Sequence, residues 1–233
     1  VWLLDSEKTE PTLEDVYRAG QSENFEEAEK NILNEIEKNG LTRVYEEIEL
    51  PLIPIIDEAE KEGILINREY LKKLSEDLHK KLSVLETSIW GQAGGEFNIN
   101  SPKQLGEILF EKMNISKKGI RKTPTGAIST RESELEKLAE ENPIVKEILE
   151  QRELQKLLST YVDALPPKAD DKGRIHTHLN QTVTTTGRMS SNDPNLQNIP
   201  TRGEYGQEVR KAFVASPGWK IAALDYSQIE MRV

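Results

Sequence analysis

Trp219-Lys220-Ile221-Ala222-Ala223-Leu224-Asp225-Tyr226-Ser227-Gln228-Ile229-Glu230 is the stretch whose reading decides the fold. Its apolar half, Trp219 to Leu224, has the composition of a β-strand, and Ser227 stands where a helix would be capped. A carboxylate at a strand end is fixed rigidly at a sheet margin, where it can hold a hard cation such as Mg²⁺. The competing reading is that Asp225 only caps the next helix, since Asp is favoured at that position.

Moving outward toward the N-terminus, Phe213-Val214-Ala215 reads as a second strand around the turn Ser216-Pro217-Gly218. Arg174 to Val183 alternates, with Ile175, Thr177, Leu179, Gln181 and Val183 on one face, after a turn at Asp170-Asp171-Lys172-Gly173. Before Pro166-Pro167 the pattern is helical. Helices are expected over Glu23–Lys38 (Ala28, Ile32, Leu33 and Ile36 inward), Pro51–Glu62 (Leu52, Ile55, Ile56 and Ala59 inward, Gly63 just past the end) and Asn67–Ala93. In the last of these, Leu71, Leu74, Leu78, Leu82, Leu85 and Ile89 recur at spacings of three and four, with Lys72, Lys73, Lys80 and Lys81 opposite. Ile64-Leu65-Ile66 between them is a short strand or extended link. Further helices start at Ser101-Pro102-Lys103-Gln104, with Ser101 as cap and Gln104 reaching back, and at Ser129-x-x-Glu132, and one covers residues 144–165. Helices first and strands last give an α+β class.

Composition bounds the chemistry. The 233 residues suit one large domain or two modest ones, and 36% hydrophobic content is enough for a core. There is no cysteine, which excludes disulfide scaffolds, thiolate zinc sites and cysteine nucleophiles, and three histidines argue against a His-based metal site. His79, His176 and His178 read as structural. No apolar run reaches membrane-span length, and no secretory leader pattern opens the chain. A charge-rich, cysteine-free composition is compatible with a hot environment. The net charge of −10 is uneven: residues 1–50 hold 5 basic and 14 acidic side chains, while residues 101–150 hold 9 of each. A polyanionic partner is therefore expected to meet the second half of the chain.

Two strings carry a resemblance. Thr186-Gly187-Arg188-Met189-Ser190-Ser191-Asn192-Asp193-Pro194-Asn195-Leu196-Gln197-Asn198-Ile199-Pro200 and Asp225-Tyr226-Ser227-Gln228-Ile229-Glu230-Met231-Arg232-Val233 together resemble family A DNA polymerases, the DNA polymerase I type. The second string is similar to that family's motif A, with Met231 where Leu is more usual. Phe97 to Leu105 and Leu157-Leu158-Ser159-Thr160-Tyr161 resemble thumb segments. Residues 1–50 resemble the tail of the exonuclease-like domain, without the Tyr-x-x-x-Asp pattern of its last proofreading motif.

The resemblance implies a right-hand polymerase fragment: residues 1–40 the tail of an exonuclease-like domain, 41–166 mainly thumb, and 167–233 the first part of an antiparallel palm sheet. It implies template-directed nucleotidyl transfer to a primer 3′-hydroxyl, with two Mg²⁺ ions held between two palm carboxylates. Asp225 would be one of them and the catalytic metal ligand, with the Tyr226 carbonyl a further ligand. Tyr226, Ser227, Gln228, Ile229 and Glu230 would line the deoxynucleoside triphosphate, with Glu230 crowding a 2′-hydroxyl. Arg188, Asn195, Gln197 and Gln228 would contact primer–template DNA in the minor groove, whose acceptors vary little with sequence. Asn98 and Ser101 would meet phosphates near a helix start. Arg152 and Lys156, on one helix face, and Lys117, Lys118, Arg121 and Lys122, in a Gly/Pro-broken loop, would meet the duplex backbone. For each there is a plainer alternative: a solvated carboxylate for Glu230, an ordinary ion pair for Arg188, loop hydrogen bonds for the amides, and a solvated face for the cations.

The second carboxylate and the fingers helix (motifs C and B) are expected on a second polypeptide. The stop at Val233, one turn into the helix that carries the motif, prompts that expectation, while the apolar run Val1-Trp2-Leu3-Leu4 reads as a start within a domain. The alternative function is a non-catalytic duplex-binding module related to polymerases. A metal-dependent nuclease fits poorly, since several clustered carboxylates are wanting.

Overall fold

A computed structural model of the chain describes residues 1–201 and 203–232, and of Glu230 the backbone alone. The chain forms two compact units, residues 1–66, 169–199 and 213–233 in the first, and residues 67–168 and 200–212 in the second. The fold is helix-rich with small antiparallel sheets.

In the first unit, α1 (Leu13–Gly20) starts at a reciprocal cap. The Asp15 amide donates to Thr12 Oγ1 at 3.3 Å, and the Thr12 amide donates to Asp15 Oδ2 at 3.0 Å. That hydroxyl, the same amide and Lys8 hold the Asp15 carboxyl below its ordinary range. Helix α2 (Phe25–Lys38) is capped by Asn24 and buries Ala28, Ile32 and Ile36. Leu33, expected on the same face, is exposed, because it lies one position round from that stripe. The last residue of α1 is Gly20 for a steric reason: a Cβ there would sit 2.4 Å from Ala28 Cα. A three-residue α3 (Thr42–Val44) runs through a π turn at Tyr45–Glu49 into α4 (Leu50–Glu62). Only Ile56 of the four expected inward residues of α4 is buried; Ile55 is 59% exposed. Gly63 ends α4 at φ 61°, where a side chain would also run into the Ile175 carbonyl at 2.6 Å.

Strand β1 (Ile64–Leu65) then pairs antiparallel with β2 (Arg174–Ile175), Ile64 opposite Ile175. Next, β3 (His178–Asn180) pairs antiparallel with β4 (Ser190–Asn192), Leu179 opposite Ser191. The single alternating strand expected over 174–183 is thus two strands in two ladders. The break falls at His176 and Thr177, whose side chains bond to α4 and to the β4 loop instead of continuing one edge. The expected strands at 213–215 and 219–224 are corrected as well. Phe213 makes one bridge to Ile66, the Val214 amide donates to the Leu65 carbonyl, and residues 219–224 are irregular and exposed without a ladder partner among the described residues.

In the second unit, α5 (Arg68–Ala93) is capped by Asn67 Oδ1, which accepts from the Tyr70 amide at 2.9 Å. It buries Leu71, Leu78, Leu82 and Ile89 and leaves Lys72, Lys73, Lys80 and Lys81 exposed. Each fully buried leucine contributes roughly 2 kcal/mol by leaving water. Ser101 caps α6 (Pro102–Glu107), which loosens into a π turn at Ile108–Lys112. Gln104 reaches back past Ser101, its Oε1 accepting from the Asn98 amide at 2.7 Å. Helix α7 (Glu132–Ala139) begins at Arg131; Ser129, expected as its cap, is buried and accepts from the Arg131 amide. Helix α8 (Pro143–Leu157) continues in a π turn to Val162, and α9 (Glu204–Lys211) packs on it. The core of this unit gathers Ile89, Leu105, Leu109, Phe110, Leu135 and Ile148 from α5, α6, α7 and α8 and the π turn after α6. Among the described residues no helix is long and apolar enough to cross a membrane.

Candidate functional site

In the first unit the ladder β3–β4 carries a polar loop on each side. Arg188 lies just before β4, with its carbonyl accepting from Thr184 Oγ1 at 2.6 Å. Asn195 and Gln197 follow β4, both exposed, while Ile199 is buried and Leu196 half-buried. Gln197 Nε2 donates to the Met189 carbonyl at 3.2 Å, which brings Gln197 beside the residue next to Arg188. Asn195 Oδ1 accepts from the Gln197 and Asn198 amides at 3.1 and 3.3 Å. Backbone N–H groups only donate, so the Asn195 atom they meet is the oxygen, and the NH₂ is the donor end of an exposed side chain. The three residues that the sequence singled out here are one cluster.

The segment from Asp225 is different from its sequence reading. Asp225, Tyr226, Ser227 and Gln228 are exposed, and among the described residues no ladder holds Asp225 at a sheet margin. Ser227 is not the cap of the short 3₁₀ turn Ile229–Met231: the residue before it is Gln228, at φ 54° with no side-chain cap. The Glu230 side chain and Val233 lie outside the described residues. Among the described residues there is no group of three or more His, Asp or Glu that could hold a metal ion. Asp225 and the Tyr226 carbonyl are hard oxygen donors of the kind Mg²⁺ takes.

In the second unit Lys117, Lys118, Arg121 and Lys122 are all exposed on a hairpin-like loop. Lys122 bridges Ile128, and the Thr123 amide donates to the Ala127 carbonyl at 2.8 Å. The base of the loop is pinned by Glu134, a residue the sequence reading passed over. Its carboxylate accepts from the Arg121 amide at 3.1 Å and Lys137 Nζ at 2.7 Å, and these bonds, Lys137 first, hold its pKa down. Nothing in a lone Glu of a helical pattern distinguishes such a partner.

Arg152 and Lys156 both lie on α8 but in different surroundings. Lys156 is exposed. The Arg152 guanidinium donates to the Thr130 carbonyl at 2.7 Å and to the Ile99 carbonyl at 3.5 Å, and burial lowers its pKa. Asn98 and Ser101 turn their side-chain oxygens to the amides of Asn100 and Gln104, at 3.0 and 3.4 Å. A cleft of about 940 Å³ is lined by Asn100, Lys103, Lys117, Thr123, Arg131 and Arg152 among others. Lys103 and Arg131 were not singled out in the sequence; a basic residue on a helix start or loop has no local mark of facing a cleft.

The profile of DNA polymerase family A matches residues 68–233. The chain is 48% identical over 194 residues to DNA polymerase I of a Synechocystis species, covering 83% of this chain and 20% of that protein. It is 43% identical over 245 residues to the thermostable DNA polymerase I of Thermus aquaticus, covering 100% of this chain and 29% of that one. Among solved structures it is similar to the POL domain of Pol1 from M. smegmatis in complex with DNA primer-template and dNTP. That likeness has a TM-score of 0.79 and 35% identity, and covers 88% of this chain and 36% of the other. The chain thus spans less than a third of the length of these curated relatives. With the profile matched over the larger part of its length, through both motif strings, the chain belongs to DNA polymerase family A.

Proposed function

We propose that this chain is part of a template-directed DNA polymerase and contributes one of the two carboxylates of its nucleotidyl-transfer centre. The observation that carries the reading is the string Asp225 to Arg232 within a family match covering residues 68–233. In this reading residues 1–40 are the tail of an exonuclease-like domain, 41–166 mainly thumb and 167–233 the start of the palm. The substrates are primer–template DNA and deoxynucleoside triphosphates, which the similar mycobacterial structure names as its ligands.

Asp225 and the Tyr226 carbonyl would hold Mg²⁺. The metal supplies charge neutralisation at the triphosphate and acidifies the primer hydroxyl. The exposed side chain of Asn195 keeps its NH₂ as a donor, and the exposed amide of Gln197 and guanidinium of Arg188 add further donors, suited to the minor-groove acceptors of a primer end. Glu230 crowds a 2′-hydroxyl by its position in the motif. Lys117, Lys118, Lys122 and Lys156 offer cations to phosphates. A two-metal centre needs a second palm carboxylate besides Asp225, and the proposal takes it to come from the polymerase's motif C.

The test is Asp225→Asn in the complete assembly. Nucleotide addition should vanish while primer–template binding stays within a few fold, since each 1.4 kcal/mol of lost transition-state stabilisation is about tenfold in rate. Activity above roughly a tenth of the parent rate would refute the metal role. Duplex binding without any synthesis by the complete assembly would favour the binding-module alternative.

A further inference from the structure

Asn195 is exposed, yet the peptide units on both sides of it are tied to two hydroxyls, one buried and one half-buried. Ser191, on β4, is 2% exposed. Its Oγ accepts from the Leu196 amide at 3.0 Å. Thr177, in the link between β2 and β3, places its Oγ1 2.6 Å from Ser191 Oγ and 2.8 Å from the Pro194 carbonyl. The Asn192 carbonyl is also within reach of Thr177, at 3.1 Å, and Ser191 Oγ lies 3.3 Å from the Pro194 carbonyl.

A hydroxyl has one proton to give and two lone pairs to receive with. The shortest contacts then fall into one chain of donation. The Leu196 N–H donates to Ser191, Ser191 donates to Thr177, and Thr177 donates to the Pro194 carbonyl. That chain begins on the peptide unit after Asn195 and ends on the unit before it. Since the residues between β4 and Ile199 form no ladder, these hydroxyls, with Asn195 Oδ1 on the amides of Gln197 and Asn198, set the direction of the Asn195 NH₂.

We propose that Thr177 and Ser191 are positioning residues, a hydroxyl latch that aims Asn195 at its nucleic-acid acceptor. The proposal rests on the reading of Asn195 as a duplex contact. Its content beyond that reading is that two residues which touch no DNA set the affinity through one that does. Ordering in advance removes a cost that a loosened Asn195 would meet on binding.

Binding of a fluorescein-labelled primer–template with a 5′ overhang, followed by anisotropy, tests it. Asn195→Ala should weaken binding, and Ser191→Ala and Thr177→Val should each weaken it roughly fivefold, the scale of one lost hydrogen bond. Thr177→Ser, which restores the hydroxyl, should bind like the parent. The double variant Asn195→Ala/Thr177→Val should bind no more weakly than Asn195→Ala, because the latch acts only through Asn195. A merely structural role predicts that the two losses add. If Asn195→Ala is weak but Thr177→Val binds fully, or if the losses add, the latch is overturned and the duplex reading stands. If Asn195→Ala binds like the parent, the duplex reading itself fails and the latch falls with it. Should Ser191→Ala prove unfolded by circular dichroism, the half-buried Thr177 variants decide the matter.

Discussion

Tyr205 Oη donates a 2.6 Å hydrogen bond to Glu150 Oε1, joining α9 to α8 across 55 positions of sequence. Lys81 of α5 completes the group: its Nζ is 3.0 Å from the same carboxylate oxygen, donates to Tyr205 Oη, and stands 4.6 Å from the centre of the Tyr205 ring. The Tyr205 bond is the first cause of a lowered Glu150 pKa, with Lys81 acting the same way. Burial, then Glu150, push the Tyr205 phenol up. Three helices of the second unit meet in one charge-assisted cluster.

Tyr205→Phe removes the donor to Glu150 and the acceptor for Lys81. It should cost about 1 kcal/mol of stability, read as a lower urea midpoint. Glu150→Gln tests the charge. A carboxylate whose folded pKa is depressed stabilises above its unfolded value and loses that contribution as pH falls through the folded one. The gap between parent and Glu150→Gln should therefore be present at about pH 7 and shrink below the ordinary 4.5 of a glutamate. An equal gap at about pH 3 would show that the charge contributes nothing.

His176 links α4 to the sheet with the opposite sign. Its Nδ1 is 2.8 Å from the Glu60 carbonyl and its Nε2 3.3 Å from Asp170 Oδ2. Both partners only accept, so the doubly protonated ring alone satisfies both at once. The Glu60 carbonyl, then Asp170, raise its pKa above the ordinary 6.5, against burial and the nearby Arg174. A raised pKa gives stability that is fully present below 6.5 and is lost as pH rises through the folded value. The urea midpoints of the parent and His176→Gln should stand further apart at about pH 5.5 than at about pH 8.5. A gap that grows with pH would reverse the assignment.

Glu230→Ala in the complete assembly should admit ribonucleotides more readily relative to deoxyribonucleotides. Rejection by a clash disappears when the clashing side chain does. Single-nucleotide insertion kinetics give the ratio of the two efficiencies, and an unchanged ratio would count against Glu230 as the sugar gate.

Duplex binding should be electrostatic and blind to sequence despite the net charge of −10. Lys117, Lys118, Lys122 and Lys156 are exposed, whereas Arg152 is committed to two backbone carbonyls. With about four phosphates neutralised, log K should fall with log salt at a slope of about −3.6. A slope near zero in a binding titration removes the claim. Arg152→Lys should weaken folding more than it flattens that slope, because an ammonium cannot span both carbonyls.

The sequence by itself determined α2 and α4 to α8, while the shorter α1, α3 and α9 were not read from it. Asn67 and Ser101, read as caps, accept from amides three residues on, as Thr12 and Asn24 also do, whereas Ser129 three residues before Glu132 does not cap α7: residue type proposes a cap and the local backbone decides it. The buried stripe Leu71, Leu78, Leu82 and Ile89 is equally local, being the 3.6-residue period of one helix. The two motif strings were legible too, as residue identities at fixed spacing. What only the tertiary structure decided depends on partners far along the chain. Alternation from Arg174 to Val183 says which side chains share a face, but not that the edge is broken where His176 turns to Glu60 and Thr177 to Ser191. An apolar run such as Trp219–Leu224 has the composition of a strand, yet a ladder needs a neighbouring backbone, and no composition supplies one. Arg152 and Lys156 read alike as cations one turn apart. Thr130 and Ile99, 22 and 53 positions away, make the first an internal anchor and leave the second to solvent.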